Sequence, residues 1–165
     1  MNKKLVLIFV AMLLVGVLGT AFVPKAKAVT MGFQLYGKAT MGWGFNPSII
    51  TAPGPTIQVY QGDTVNLTLT SQDGLPHQFF VDYNNNSIID SGEPHSVSFF
   101  GTIVFSFTVD TLGNFTYRCA VHPLTMFGDF KVWNPIPEFP GLIVVPVFVV
   151  LTLLAVVLFR RKRLA

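Results

Sequence analysis

Between Val29 and Trp133 no stretch of useful length carries the 3.6-residue period of a helix; its apolar residues alternate instead. Val65, Leu67 and Leu69 fall on one face of the chain and Asn66, Thr68 and Thr70 on the other. That is the pattern of an antiparallel strand with one face buried and one wet. Ile57 and Val59 alternate in the same way, as do Phe115, Tyr117 and Cys119. Further strands are expected at Phe33 to Lys38, Gln78 to Val81, Val97 to Phe99, Val104 to Val109 and Asp129 to Val132. Turn-forming residues separate them, at Ala52-Pro53-Gly54-Pro55 and Gln61-Gly62-Asp63, while Gly42-Trp43-Gly44-Phe45-Asn46-Pro47 reads as a loop. Short strands broken by turns imply an all-β sandwich or barrel of about eight strands.

The two ends of the chain are of another kind. Lys3 and Lys4 precede the apolar run Leu5 to Val23, and Ala26-Lys27-Ala28 offers small residues around a cleavage point. Residues 1–28 therefore read as an export signal peptide. Residues 29–133 are the globular domain, and residues 134–140 a proline-rich, stiff spacer. Gly141 to Phe159 is an apolar run of 19 residues. At about 1.5 Å per residue it matches a bilayer's hydrocarbon core, so 141–159 is expected to be a transmembrane helix. Arg160-Arg161-Lys162-Arg163 opens the basic tail 160–165, which the positive-inside rule keeps in the cytoplasm. The expected localisation is the cell membrane, single-pass, with the globular domain outside. Pro-Glu-Phe-Pro at 137–140, followed by the apolar run and the basic end, resembles the C-terminal signals of archaeal surface proteins, some of which are exchanged for a lipid anchor. The formal charge of +3 comes largely from these terminal cations, so nothing in the middle of the chain supports nucleic-acid binding.

Cys119 is the only cysteine, so it cannot close a disulfide within the chain. In Cys119-Ala120-Val121-His122-Pro123-Leu124-Thr125-Met126 a thiol, an imidazole and a thioether stand within eight residues. Soft sulfur with imidazole suits copper, above all a redox copper. A second histidine has to come from elsewhere. His77 follows a turn, opens an expected strand and precedes Cys119 by 42 residues, enough for three further strands. His95, in Gly92-Glu93-Pro94-His95, competes with it but reads as an exposed turn histidine. One cysteine, two histidines and a weak axial methionine make up the blue-copper electron-transfer site.

At these residues the chain resembles the cupredoxins, the blue type 1 copper family of plastocyanin, pseudoazurin, amicyanin and the halocyanins. The resemblance is carried by Pro55-Thr56-Ile57-Gln58-Val59, Gly62-Asp63-Thr64-Val65, Pro76-His77, Gly113-Asn114-Phe115-Thr116-Tyr117-Arg118-Cys119-Ala120-Val121-His122-Pro123, Met126 and Gly128. It covers roughly Thr30 to Trp133. It implies a Greek-key β-sandwich with one copper near one end, His77, Cys119 and His122 as equatorial ligands and Met126 as the axial one. Two positions depart from the pattern. Three residues separate His122 from Met126, between the shorter and longer loops of the family, and Gln78 follows His77 where plastocyanin-like members often have Asn.

Asp82-Tyr83-Asn84-Asn85-Asn86-Ser87-Ile88-Ile89-Asp90-Ser91-Gly92-Glu93 is a second candidate ion site. Asp82, Asn84, Asn86, Asp90 and Glu93 place oxygen at positions 1, 3, 5, 9 and 12 of a calcium loop, although Ser87 stands where that loop needs glycine. The same residues suit a self-capped turn. Asn66-Leu67-Thr68 and Asn114-Phe115-Thr116 match the glycosylation acceptor pattern. Taken together, these features suggest a membrane-anchored electron carrier with redox proteins as partners and no small-molecule substrate. Copper delivery without redox traffic is the alternative, followed by a metal-free adhesion sandwich. Three histidines are too few for an additional trinuclear copper centre, and one cysteine cannot bridge a dinuclear one.

Overall fold

The computed structural model describes residues 27–135, together with Val147, Val150, Leu151, Thr152 and Leu154, which are helical. The expected signal peptide, most of the spacer, most of the apolar run and the basic tail lie outside the described residues. None of the described helices is long and apolar enough to cross a membrane.

Lys27 to Pro135 form one compact unit. Its strands are β1 (Thr30–Lys38), β2 (Gly42–Asn46), β3 (Ile49–Thr51), β4 (Gly54–Tyr60), β5 (Thr64–Ser71), β6 (Phe79–Asp82), β7 (Thr102–Thr108), β8 (Gly113–Cys119) and β9 (Phe127–Trp133). They make a β-sandwich of two sheets, one in the order β3-β2-β1-β5-β7 and the other β4-β9-β8-β6. Three of the seven pairings join sequence neighbours, β1·β2, β2·β3 and β8·β9, and the parallel contacts β1·β5 and β4·β9 are closed by crossovers between the sheets, as a Greek key requires.

The alternation read from the sequence is the alternation of burial. Val65, Leu67 and Leu69 are fully buried, while Asn66 faces solvent. They meet Ile57, Val59, Phe79, Tyr117 and Phe130 from the opposite sheet in one apolar core. Burying side chains of this size is worth about 1.5–3 kcal/mol each, so a one-residue slip of β5, which would turn all three outward, is strongly disfavoured.

Two stretches fold otherwise than expected. Residues 42–46 are a strand, not a loop; they pair with a further short strand at 49–51, and Trp43 is fully buried between the sheets. Glycine is what allows it: a Cβ on Gly42 or Gly44 would collide with the carbonyl oxygens of Thr51 or Ile49, and Gly42 has φ +112°. Conversely, Val97 to Phe99 is not a strand. Val97 is 72% exposed, and Phe99 makes only an isolated bridge to His77.

Both ends of the unit sit at one pole. The Val29 N–H donates to Asp63 and Gln61 N–H to the Trp133 carbonyl, so one turn holds the first and the last residues of the sandwich. Cys119 and Ala39 lie at the other pole, the far ends of β8 and β1. Seven residues of β9 separate the poles, about 20 Å at roughly 3.3 Å per residue.

Candidate metal centre

Each functional side chain is fixed by backbone pairing. Cys119 closes β8, where Tyr117 and Cys119 both point inward and both are fully buried. It pairs with Phe79 of β6. His77 lies two residues before that partner and is locked by two backbone bonds of 2.8 Å to Phe99. His122 lies on the loop between β8 and β9. That loop closes on itself: Cys119 N–H donates to the Met126 carbonyl at 2.9 Å, and the His122 carbonyl accepts from Met126 N–H at 3.0 Å and Thr125 N–H at 3.3 Å. With three residues between His122 and Met126, the loop holds one tight turn and no slack.

The structure therefore brings His77, Cys119 and His122 together, with one ligand atom of each within 4.8 Å of the others. The Cys119 Sγ lies 3.7 Å from His77 Nδ1 and 3.8 Å from His122 Nδ1. A first-row ion about 2.3 Å from sulfur and about 2.0 Å from nitrogen, with an angle of about 120° between them, requires an S···N separation of about 3.7 Å. The donor set thus has the spacing of a trigonal site. It is one thiolate and two imidazoles, the set that suits copper. Met126 is fully buried in the core cluster that also holds Cys119, and its Cε lies against Gly37, where a Cβ would stand only 2.8 Å away. His95 is apart from the cluster: it is exposed, and its Nδ1 lies 2.9 Å from the Glu93 carbonyl.

Electrostatics prepare the three groups differently. Burial pushes the Cys119 thiol up, but its side-chain contact with His77 and hydrogen bonds from the Gln78, His122 and Val121 backbone outweigh it and leave the thiol below its usual range. Burial pushes His77 down, yet its contacts with Cys119 and Asp73 carry it above its ordinary value. His122 is lowered, by burial and by the charge of His77.

Asp73 is the residue that sequence reasoning missed. Its Oδ1 lies 2.9 Å from His77 Nε2, the ring nitrogen that faces away from the cluster. The only signal in the sequence is an aspartate four residues before a histidine, in a turn ahead of Gly74. Gln78 also acts otherwise than its side chain suggests. The amide turns away to the Ser96 carbonyl at 2.9 Å, and the backbone N–H faces Cys119 Sγ at 3.5 Å.

The Asn-rich loop is built as a self-capped turn, and the calcium expectation gains no support from it. Asp82 accepts Asn86 N–H, Ser87 N–H and the Arg118 guanidinium at 2.8 Å. Asp90 accepts both Asn84 and Asn86 amides, and Glu93 accepts Tyr83 N–H and Asp90 N–H. The carboxylates that would hold a cation are engaged by donors of the chain itself, and Arg118 supplies the positive charge. Asn66 and Asn114, the two acceptor-pattern asparagines, both face solvent.

No family model matches the chain, and no curated protein matches its sequence. Solved structures do match. Auracyanin A, a "blue" copper protein from Chloroflexus aurantiacus, aligns with 63% of this chain and 99% of its own at 17% identity, with a TM-score of 0.50. The fold is that of the cupredoxins. Two further solved structures align less closely. The auracyanin of Roseiflexus castenholzii covers 66% of this chain and 99% of its own at 12% identity and a TM-score of 0.46. A blue copper oxidase from Nitrosomonas europaea covers 68% of this chain but only 41% of its own, at 22% identity and a TM-score of 0.46. In this cupredoxin sandwich, the cluster occupies the pole opposite the two ends of the unit.

Proposed function

We propose that the chain is a one-electron carrier whose His77, Cys119 and His122 would hold a single copper ion, with Met126 as a fourth ligand. The observation that carries this is the trigonal spacing of one sulfur and two nitrogens, 3.7 and 3.8 Å apart. A copper ion in that set supplies a one-electron couple between Cu(I) and Cu(II). Cys119 would bind as thiolate. His77, fully buried and held on both sides, keeps its ring still and excludes water. His122, only partly buried, is the group that a redox partner could approach. Leu124, 82% exposed, and the exposed Val121 and Leu75 flank the two histidine-bearing segments and offer an apolar docking surface. Pro123 lies within that surface, whereas Phe127 is covered by the Arg118 guanidinium, 5.8 Å above its ring. No substrate of its own is proposed. The apolar run 141–159 and the basic residues after it support membrane anchoring, with the copper domain outside and redox proteins as partners.

Copper titration of the full chain tests the reading. An intense visible thiolate-to-copper band should appear and be absent from Cys119→Ser, in which a hard hydroxyl replaces a soft thiolate. No band in the native chain would return the protein to the metal-free sandwich. A band without a reversible voltammetric couple would make it a copper-delivery protein.

A further inference from the structure

We propose that Asp73 is a positioning residue of the copper site, fixing the His77 imidazole in the ligating tautomer and lowering the reduction potential through its negative charge. The inference rests on the proposed copper reading for its second half only; the first half concerns the protein without metal.

Asp73 is tied down more firmly than any surface aspartate needs to be. Its Oδ1 accepts from Ser71 Oγ at 3.1 Å and Leu75 N–H at 3.1 Å and meets His77 Nε2 at 2.9 Å. Its Oδ2 accepts Ala39 N–H at 2.7 Å. Four donors thus converge on one carboxylate and fill the acceptor capacity of the ionised group. Opposite an anion, His77 Nε2 must carry the ring proton, so the hydrogen-bond network assigns the lone pair to Nδ1. Nδ1 is the nitrogen that lies 3.7 Å from the Cys119 sulfur. Carboxylate, imidazole and ligand atom thus lie in series, the arrangement that orients a metal-bound histidine and raises its basicity. The second anchor extends the effect. The Ala39 peptide that donates to Asp73 also accepts Thr125 Oγ1 at 2.6 Å through its carbonyl. Asp73 therefore braces both the segment that carries His77 and the loop that carries His122 and Met126.

The negative charge acts beyond geometry. A carboxylate one imidazole away from the metal stabilises the more positive oxidised state over the reduced one. Removing the charge should shift the balance toward Cu(I).

Two measurements on the full chain separate the parts. On the metal-free protein at mildly alkaline pH, nitrogen-15 NMR of the His77 ring should show the proton on Nε2. In Asp73→Ala both tautomers should be populated; an unchanged tautomer overturns the positioning role whether or not the protein binds copper. On the copper-loaded protein, Asp73→Asn should keep the visible band and raise the potential by at least 59 mV, a tenfold change in the Cu(I)-to-Cu(II) affinity ratio for one electron. A change under twofold, about 18 mV, with the band intact overturns the tuning role and leaves the copper reading standing. A native chain with no band overturns the copper reading and the tuning role together, and the NMR result alone then decides the positioning role.

Discussion

Arg118 holds together two loops that share no backbone pairing, and removing it should be one of the costliest single changes in the sandwich. Its Nε donates to the fully buried Asp82 carboxylate at 2.8 Å, and the Arg118 side chain is itself only 13% exposed. One terminal nitrogen donates to the Pro123 carbonyl of the ligand loop at 3.1 Å and the other to Asn85 Oδ1 at 2.6 Å. Truncating one member of a buried ion pair costs about 3–5 kcal/mol, because the other charge is left uncompensated. Asp82 keeps two backbone N–H donors, from Asn86 and Ser87, so the low end applies, about 3 kcal/mol. For a unit of this size that is a drop in melting temperature of roughly 10–15 °C. Arg118→Lys should cost roughly half as much, since it keeps the charge but not the fork that reaches Pro123 and Asn85. Thermal unfolding of the metal-free full chain, followed by circular dichroism, reads both variants. An Arg118→Ala drop under about 4 °C, or about 1 kcal/mol, would refute the reasoning. It would mean that the backbone donors alone satisfy Asp82.

Other outcomes follow from the same structure. Gly37→Ala should destabilise by about 1–3 kcal/mol through overpacking and alter the copper band, because its Cβ would lie 2.7 Å from Trp43 and 2.8 Å from Met126; a melting curve and spectrum like those of the native chain would show that the two side chains can give way. Acid stability should depend on Asp73. Its folded-state pKa is depressed, so its contribution is present above the ordinary aspartate value of about 3.9 and disappears as pH falls through the lower folded value. The difference in melting temperature between the metal-free native chain and Asp73→Asn should therefore shrink as pH falls below about 4; a constant difference into strong acid would contradict it.

The sandwich was legible wherever one strand face is buried and the other wet. β5 and β8 declare themselves because Val65, Leu67, Leu69, Tyr117 and Cys119 have a period of two and the core enforces it. β2 was hidden because its pairing depends on what Gly42 and Gly44 lack, a side chain, and glycine in a sequence reads as a break. Val97-Ser98-Phe99 failed in the opposite sense: it alternates, but only Phe99 has a core to enter. Cys119, His122 and Met126 could be read as a group because they share one loop, and His77 because it opens a strand. What surrounds them was not legible. Asp73 finds Ala39 across 34 residues, and Asp82 finds Arg118 across 36. The Asn-rich loop shows its oxygens in the sequence, but the arginine that neutralises Asp82 comes from another strand. Sequence spacing supplies ligands along a loop; it does not supply the partner that a sheet brings alongside.

One turn holds both ends of the sandwich, and its consequence is mechanical. A tug on either flanking segment arrives at Gln61 to Asp63 and is passed into the near ends of β1 and β9, a strand's length from the thiol and the imidazoles. A load on either flank would therefore enter the sandwich at the pole opposite His77, Cys119 and His122.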